Sequence, residues 1–222
     1  IPALMHRIRG LEGNGPKALE FAALCAARTT EVLLAEWAEF DLEAATWTIP
    51  KERMKARRDH SVPLPRQAVA ILRQLQEVTG GYALVFAGRN NTNRPMSENT
   101  INKALADAGY KGRQTGHGFR HIASTALNEH GFDENHIEAQ LSHKKKGTAG
   151  VYNKAKYLAH RRVLMQWYAD HLDALAGARQ AHNAIVSAIE ETLKGGPRTP
   201  DLGGTANTTQ VGEAIAQRIA QG

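Results

Sequence analysis

The sequence predicts an α+β domain that is mainly α-helical and carries one small antiparallel β-sheet. Apolar residues recur at helical spacing over most of the chain, most clearly in 65–78 and 118–130. Two segments, 46–50 and 60–64, instead alternate and favour β-forming residues. Because these segments flank a cation-rich connection at 51–58, we expect a β-hairpin packed on a helical bundle.

Two helices are predicted near the start of the chain, with a break between them at Arg28. Residues 1–16 are glycine-rich and weakly patterned, and they predict no element. A helix is expected over 16–27, where apolar residues follow helical spacing. Thr29 or Thr30 can cap a second helix. Arg28 therefore lies between two helices, where its side chain can face a ligand.

Further along the chain, polar residues mark the starts of helices and a glycine marks an end. Ser97 and Asp133 each precede a segment of helical periodicity and are expected to act as N-caps. Gly131 follows the periodic segment 118–130 and is expected at the position after its C-cap.

The domain organisation is predicted from the last periodic segments. A long helix is expected over 156–176, and a second one over 178–194. We therefore predict a main domain over 1–176 and a C-terminal tail over 177–222, partly helical with a flexible break rich in glycine and proline.

The overall composition bounds the kind of protein. The chain has 222 residues, 42% of them apolar, with 28 Lys and Arg against 22 acidic residues and a net charge of +6. This basic balance fits a polyanion partner, although ordinary solubilising charge explains composition alone equally well. The single cysteine, Cys25, lies in an apolar run, so we expect a core residue in a reducing compartment. No apolar stretch approaches the ~20 residues that a membrane span needs.

The segment from His117 to His121 concentrates histidine and arginine at a helix start. A metal site is one interpretation, but the two histidines lack the intervening glutamate of the zinc-protease pattern. Arg120 would also repel a divalent cation there. A phosphate suits the segment better, because helix N-termini and arginine side chains both favour anions. We therefore expect no metal at this site.

A wider pattern appears when residues along the chain are taken together. His143 is followed nine residues later by Tyr152, and each alone would be an ordinary surface or packing residue. The ordered set resembles the catalytic domain of the tyrosine recombinase family, closest to integrases of temperate phages and genomic islands. The resemblance extends from about residue 17 to 175, and the residues that carry it are Arg28, Glu31, His117, Arg120, His143 and Tyr152.

The resemblance implies how a DNA phosphate would be bound. Arg28 and Arg120 would donate to its non-bridging oxygens, and His143 would add a further hydrogen bond. Glu31 would orient Arg28 or the histidines. Elementary chemistry agrees, since cleavage without a metal needs positive charge where negative charge grows in the transition state.

The resemblance also implies that Tyr152 is the nucleophile. Attack would form a 3′-phosphotyrosine and release a 5′-hydroxyl, with His117 accepting or orienting the tyrosine proton. The covalent bond stores the energy for rejoining, so no cofactor is expected.

The leaving oxygen needs a proton, which in this family comes from a lysine in the β-hairpin. Lys55 fits best, and Lys51 in the same connection is an alternative. Other cations are expected to contact the DNA backbone or to be merely solvated: Arg53, Arg57, Arg58, Lys144 and Lys145, with Lys51 again among them.

The function implied is site-specific recombination, the integration or excision of a prophage or genomic island. Expected partners are double-stranded attachment sites, a homotetramer on DNA, and accessory DNA-bending or directionality factors, in the bacterial cytoplasm and without a membrane. N-terminal DNA-binding domains are expected outside this sequence, and the tail either reaches a neighbouring protomer or is disordered. Two alternatives are DNA relaxation like that of a type IB topoisomerase, and a non-catalytic DNA-binding domain of the same fold.

Overall fold

A computed structural model describes residues 2–54, 57–143 and 156–221. Helices occupy most of these ranges, with a small sheet between the third and fourth helix, so the predicted fold class is confirmed. The helices are α1 (Pro2–Arg9), α2 (Asn14–Cys25), α3 (Thr29–Leu33), α4 (Arg66–Thr79), α5 (Glu98–Asp107), α6 (Gly118–Glu129), α7 (Glu134–Gln140), α8 (Leu158–Gly195) and α9 (Thr208–Gln221).

The sheet consists of β1 (Phe40–Asp41), β2 (Thr46–Ile49) and β3 (His60–Pro63), antiparallel and in that order. Trp47 lies in the central strand opposite Phe40 and Val62. Its ring is fully buried and stacks on Phe40 with 5.4 Å between ring centroids. Alternation therefore directs one face of the hairpin into the core, as predicted from its period of two.

Helix α2 lies at the centre of the domain. Its residues are apolar around most of its circumference, which is typical of a helix covered on several sides. It packs against α3, α4, α5 and α6, and Phe21 contacts the rings of Trp47 and Phe86. Cys25 is buried at its C-terminal end, as predicted. The residues that follow Cys25 are therefore held on a rigid support.

The predictions for Ser97, Asp133 and Gly131 are confirmed, whereas the cap predicted at Thr29 or Thr30 is wrong, because Thr29 already begins α3 and Arg28 is its N-cap. The Ser97 hydroxyl accepts from the backbone N–H of Asn99, and the Asp133 carboxylate accepts from that of Asn135. Gly131 has φ 89°, a left-handed conformation that glycine adopts without steric cost.

The chain forms two compact units. One is Arg7–Asp173; the other comprises the range 1–6 and Ala174–Gly222. Helix α8 continues through Gly177 to Gly195, where two separate helices were predicted. One interior glycine costs a helix only about 1 kcal/mol, which its long neighbouring segments offset. Within the described ranges, no helix combines the length and apolarity needed to cross a bilayer.

Candidate active site

Arg120 lies in the first turn of α6 and joins two distant parts of the chain. Its side chain is buried, with 4% of the residue exposed. Nη1 donates to the Ala26 carbonyl and Nη2 to the Leu141 carbonyl, both at 2.5 Å. Arg28 and His143 each lie two residues beyond one of these carbonyls. Arg120 therefore fixes both of them relative to its own guanidinium.

The guanidinium of Arg120 keeps donors for a ligand. Two of its five N–H bonds are used by the carbonyls. Its Nε is buried and has no hydrogen-bond partner within 2–54, 57–143 and 156–221. Burial, and then the nearby cation of Arg28, lower the pKa of Arg120 to about 10. A buried cation with unused donors is suited to an anionic ligand.

Arg28 is the N-cap residue of α3 and is held by Glu31. One carboxylate oxygen of Glu31 accepts from Arg28 Nη1 at 2.5 Å, and the other accepts from the Arg28 backbone N–H at 3.0 Å. Glu31 is buried, whereas about a quarter of the Arg28 side chain, 26%, is exposed. The carboxylate therefore orients a guanidinium that still reaches solvent.

His143 follows α7 and is oriented by a residue that the sequence did not single out. Ser142 has φ 49° and turns the chain after the helix. The Nδ1–H of His143 then donates to the carboxylate of Glu138, at 3.0 Å and 3.1 Å from its two oxygens. No described residue bonds to Nε2, which in the cationic form donates a hydrogen bond. An acidic residue one turn before the histidine was the only available sequence signal.

His117 lies at the start of α6 beside the two arginines. Its ring is exposed and meets the His121 ring edge-on, with 5.2 Å between centroids. Partial desolvation lowers the pKa of His117, and the cations of Arg120, His121 and Arg28 lower it further. The neutral imidazole is therefore favoured, and one of its nitrogens is a hydrogen-bond acceptor.

A buried polar network lies beneath these residues, and sequence reasoning missed it. The Gln140 amide donates to the Cys25 carbonyl at 3.1 Å, and its oxygen accepts from Arg161 Nε at 2.9 Å. The Gln140 carbonyl is 3.1 Å from His60 Nε2. Because a carbonyl only accepts, His60 carries its proton on Nε2. Burial and then the Arg161 cation lower the pKa of His60 to about 3, so this ring stays neutral.

The cationic side chains that the structure describes between β2 and β3 differ in exposure: most face solvent, and one turns inward. Lys51, Arg57 and Arg58 are exposed. Arg53 instead turns inward, where it pairs with Glu39 and donates to the Glu31 carbonyl. It is thus held beside the residue that orients Arg28.

Four predicted site residues lie outside the described residues: Lys55, Lys144, Lys145 and Tyr152. The structure brings together the other predicted catalytic residues, which are Arg28, His117, Arg120 and His143, with Glu31 as their support.

Two arginines and two histidines thus lie around one position of a helical domain, an arrangement suited to an anionic ligand. The chain belongs to the phage integrase family, whose pattern matches residues 2–159. It is 49% identical over 159 residues to "Prophage integrase IntZ" of Escherichia coli K12, covering 71% of this chain and 39% of that protein. It is 42% identical over 177 residues to "Prophage integrase IntA" of the same strain, covering 78% and 43%. The chain thus spans less than half the length of these relatives.

A solved structure has the same fold. The integrase from mycobacterium phage Brujita superposes with a TM-score of 0.57 at 17% identity, covering 77% of this chain and 60% of that one.

A shorter stretch is similar to a different class of protein. Over 41 residues, the chain is 54% identical to a D-malate dehydrogenase (decarboxylating) of Escherichia coli K12. The stretch is 18% of this chain and 11% of that enzyme.

Proposed function

We propose that this domain catalyses site-specific DNA recombination by forming a covalent bond between Tyr152 and a 3′-phosphate. The observation that supports it most is the position of Arg120, whose two carbonyl partners hold Arg28 and His143 around one guanidinium. Membership of the phage integrase family supplies the reaction class, and the relatives are named as prophage integrases.

The proposed reaction balances without a metal or cofactor. The Tyr152 oxygen attacks phosphorus, its proton passes toward His117, and the bond to the 5′-oxygen breaks. That oxygen takes a proton from a lysine of the hairpin connection. Arg28, Arg120 and His143 donate hydrogen bonds to the non-bridging oxygens, whose charge grows in the transition state. The reverse attack by a 5′-hydroxyl of a partner strand completes the exchange.

The wider setting belongs to the same proposal. The substrates are double-stranded attachment sites of a prophage or genomic island, bound by a homotetramer in the bacterial cytoplasm, with accessory bending or directionality factors. The exposed cations Lys51, Arg57 and Arg58 supply phosphate contacts that are independent of base sequence. A contribution of the tail to contacts between protomers stays a prediction.

The test is a suicide substrate carrying the attachment core, whose cleaved strand cannot be rejoined. We expect the protein to form a covalent DNA adduct, and mapping of the adduct peptide and the cleaved dinucleotide to identify the nucleophile and the site. DNA binding without any adduct would favour the non-catalytic alternative. Relaxation of supercoiled DNA without strand exchange would favour a topoisomerase.

The general acid is tested with a 5′-bridging phosphorothioate, since sulfur leaves without being protonated. We expect Lys55→Ala to cleave ordinary DNA about 10²- to 10⁴-fold more slowly, which is the usual contribution of general acid catalysis. The sulfur substrate should restore its rate. The control is Arg58→Ala, which removes an exposed cation of the same connection: any loss of cleavage from weaker DNA binding should be equal on the two substrates, so sulfur should not rescue it. Rescue of Lys51→Ala in place of Lys55→Ala would transfer the role to Lys51.

A further inference from the structure

Arg161, near the start of α8, holds three separate segments of the domain together. Its side chain is buried, with only 2% of the residue exposed. Nη1 donates to the Lys156 carbonyl at 3.1 Å, Nη2 to the Ser61 carbonyl at 2.7 Å, and Nε to the Gln140 side chain at 2.9 Å. One guanidinium thus binds the segment before α8, strand β3 and the end of α7.

Each of these segments adjoins a proposed catalytic group. Lys156 directly follows the range 144–155, which contains Tyr152. Gln140 lies three residues before His143 and four before the start of that range. Ser61 lies in β3, at the end of the connection that carries the candidate lysines. Arg161 therefore joins a residue shortly before this range and the residue just after it to the strand that follows the candidate lysines.

The energetics favour a role beyond stability. Burial lowers the pKa of Arg161 to about 10, which reports the cost of removing a cation from water. Its partners in the described part of the chain are carbonyl and amide oxygens, which compensate less than a carboxylate would. Apolar replacements of buried charges often stabilise a protein, so stability alone gives weak reason for an arginine. The planar guanidinium does offer donors in three directions at once, which a lysine cannot match.

We propose that Arg161 is a positioning residue for the tyrosine nucleophile. It acts through the backbone at Lys156 and through Gln140, without contacting the phosphate. The inference rests on the proposed function, in which Tyr152 must approach a phosphate held by Arg28 and Arg120. Misplacement of a reacting group by about 1 Å lowers a rate by about 10²-fold.

The first test compares Arg161→Gln with Arg162→Gln in single-turnover cleavage of the suicide substrate at saturating DNA. Arg162 is a matched control, since it also binds a carbonyl and a side chain but holds the β1–β2 turn, through Ala45 and Thr46. We expect the cleavage rate of Arg161→Gln to fall about 10- to 100-fold. Its Kd for DNA and the rate of Arg162→Gln should stay within about twofold of wild type.

A purely structural role would lower the melting temperature but leave the rate unchanged well below it. An unchanged rate in Arg161→Gln, or an equal loss in Arg162→Gln, would therefore overturn the proposal. Arg161→Lys, which keeps the charge, serves if the glutamine variant does not fold, and its rate should also fall.

A second readout does not depend on catalysis. Amide hydrogen exchange, followed by mass spectrometry, should become faster in peptides covering 144–157 in Arg161→Gln but not in Arg162→Gln. Unchanged exchange would refute the anchoring role. If the wild type forms no adduct, the proposed function fails, while this measurement still decides whether Arg161 fixes the segment.

A separate observation concerns the C-terminal unit, Ala174–Gly222. The family match covers residues 2–159 and leaves 160–222 outside it, and the two integrase relatives match at most 78% of the chain, so about a fifth of the chain has no counterpart in them. The dehydrogenase-like stretch, 18% of the chain, has a length that fits this remainder. We infer that this unit is a segment of dehydrogenase type joined to an integrase domain, and that it takes no part in DNA cleavage.

The surface of this unit agrees with an origin in a larger protein. Four apolar side chains in the second half of α8 remain 38–45% exposed: Ile185, Val186, Ile189 and Leu193. Such a cluster is covered in most proteins. Because the similar stretch is only 11% of the dehydrogenase, most of that enzyme has no counterpart in it.

Truncation tests this inference. Chains ending at Asp173 or at Gly195 should cleave the suicide substrate within about twofold of the full chain, with melting curves checking that each folds. The chain ending at Gly195 keeps all of α8. Its cleavage rate tests the inference if the chain ending at Asp173 does not fold. Loss of cleavage in a folded truncation would overturn the inference, and complexes on DNA measured in parallel test the predicted contact between protomers.

Discussion

Tyr152→Phe is expected to abolish the covalent adduct completely while leaving DNA binding intact. The substitution removes one oxygen, and with it the only atom that the mechanism joins to phosphorus. The arginines and histidines that bind the phosphate are unchanged. The measurement is denaturing electrophoresis of labelled suicide substrate, with noncovalent binding followed on the same DNA.

Other tyrosines provide the controls for this experiment. Tyr168 is fully buried, and burial raises the pKa of its hydroxyl, so it is unsuited to attack DNA. Tyr157 lies just before α8, with its ring 4.7 Å from that of His136. We expect Tyr157→Phe to form the adduct normally. An adduct that persists in Tyr152→Phe and disappears in Tyr157→Phe would move the nucleophile to Tyr157.

The hairpin and the helix starts at Ser97 and Asp133 were predictable because local chemistry determines them. Trp47 and Val62 alternate with polar neighbours, which suffices to assign a two-sided strand. Ser97 and Asp133 accept hydrogen bonds from backbone N–H groups only two residues away. These effects act within a few residues, so a sequence pattern records them.

The predictions of helix boundaries were wrong where the local sequence signals were ambiguous. Helix α1 was not predicted, because it spans only eight residues and is followed closely by Gly10 and Gly13. The Asn14–Pro16 segment falls in the range 1–16, for which no element was predicted, yet it forms the first turn of α2, where a missing proline N–H costs no hydrogen bond. Gly177 was interpreted as a break, although α8 continues through it.

The supporting residues of the site could not be predicted, because their roles depend on distant partners. Arg161 binds Ser61, which lies 100 residues earlier, and Gln140 binds Cys25 across 115 residues. Glu138 acts through His143 only because the chain turns at Ser142. The resemblance indicated which side chains meet the phosphate, and tertiary structure shows what holds them.

Arg120→Lys is expected to lower single-turnover cleavage by about 10²- to 10³-fold, the usual effect of removing one donor to a developing charge. Lysine keeps the cation but cannot hold the Ala26 and Leu141 carbonyls and a phosphate oxygen at once. Buried acceptors left without a partner cost about 1–3 kcal/mol each, so the free energy of unfolding should also fall. Arg113→Lys is the matched control, because Arg113 lies over the Tyr110 ring at 5.2 Å and is exposed.

The pH dependence of Arg120→Lys separates the loss of charge from the loss of geometry. Burial lowers the pKa of Arg120 to about 10, so the wild type keeps this cation throughout the neutral range. An ordinary lysine has a pKa of about 10.4, and the burial and the nearby Arg28 cation that lower the pKa of Arg120 lower that of a lysine in its place as well. Since a lysine is charged only below its pKa, residual cleavage by the variant should decline as the pH rises through that lowered pKa, while the wild type keeps its Arg120 cation there. If the ratio of the variant's cleavage rate to that of the wild type does not change with pH, the loss of rate comes from lost carbonyl and phosphate geometry alone.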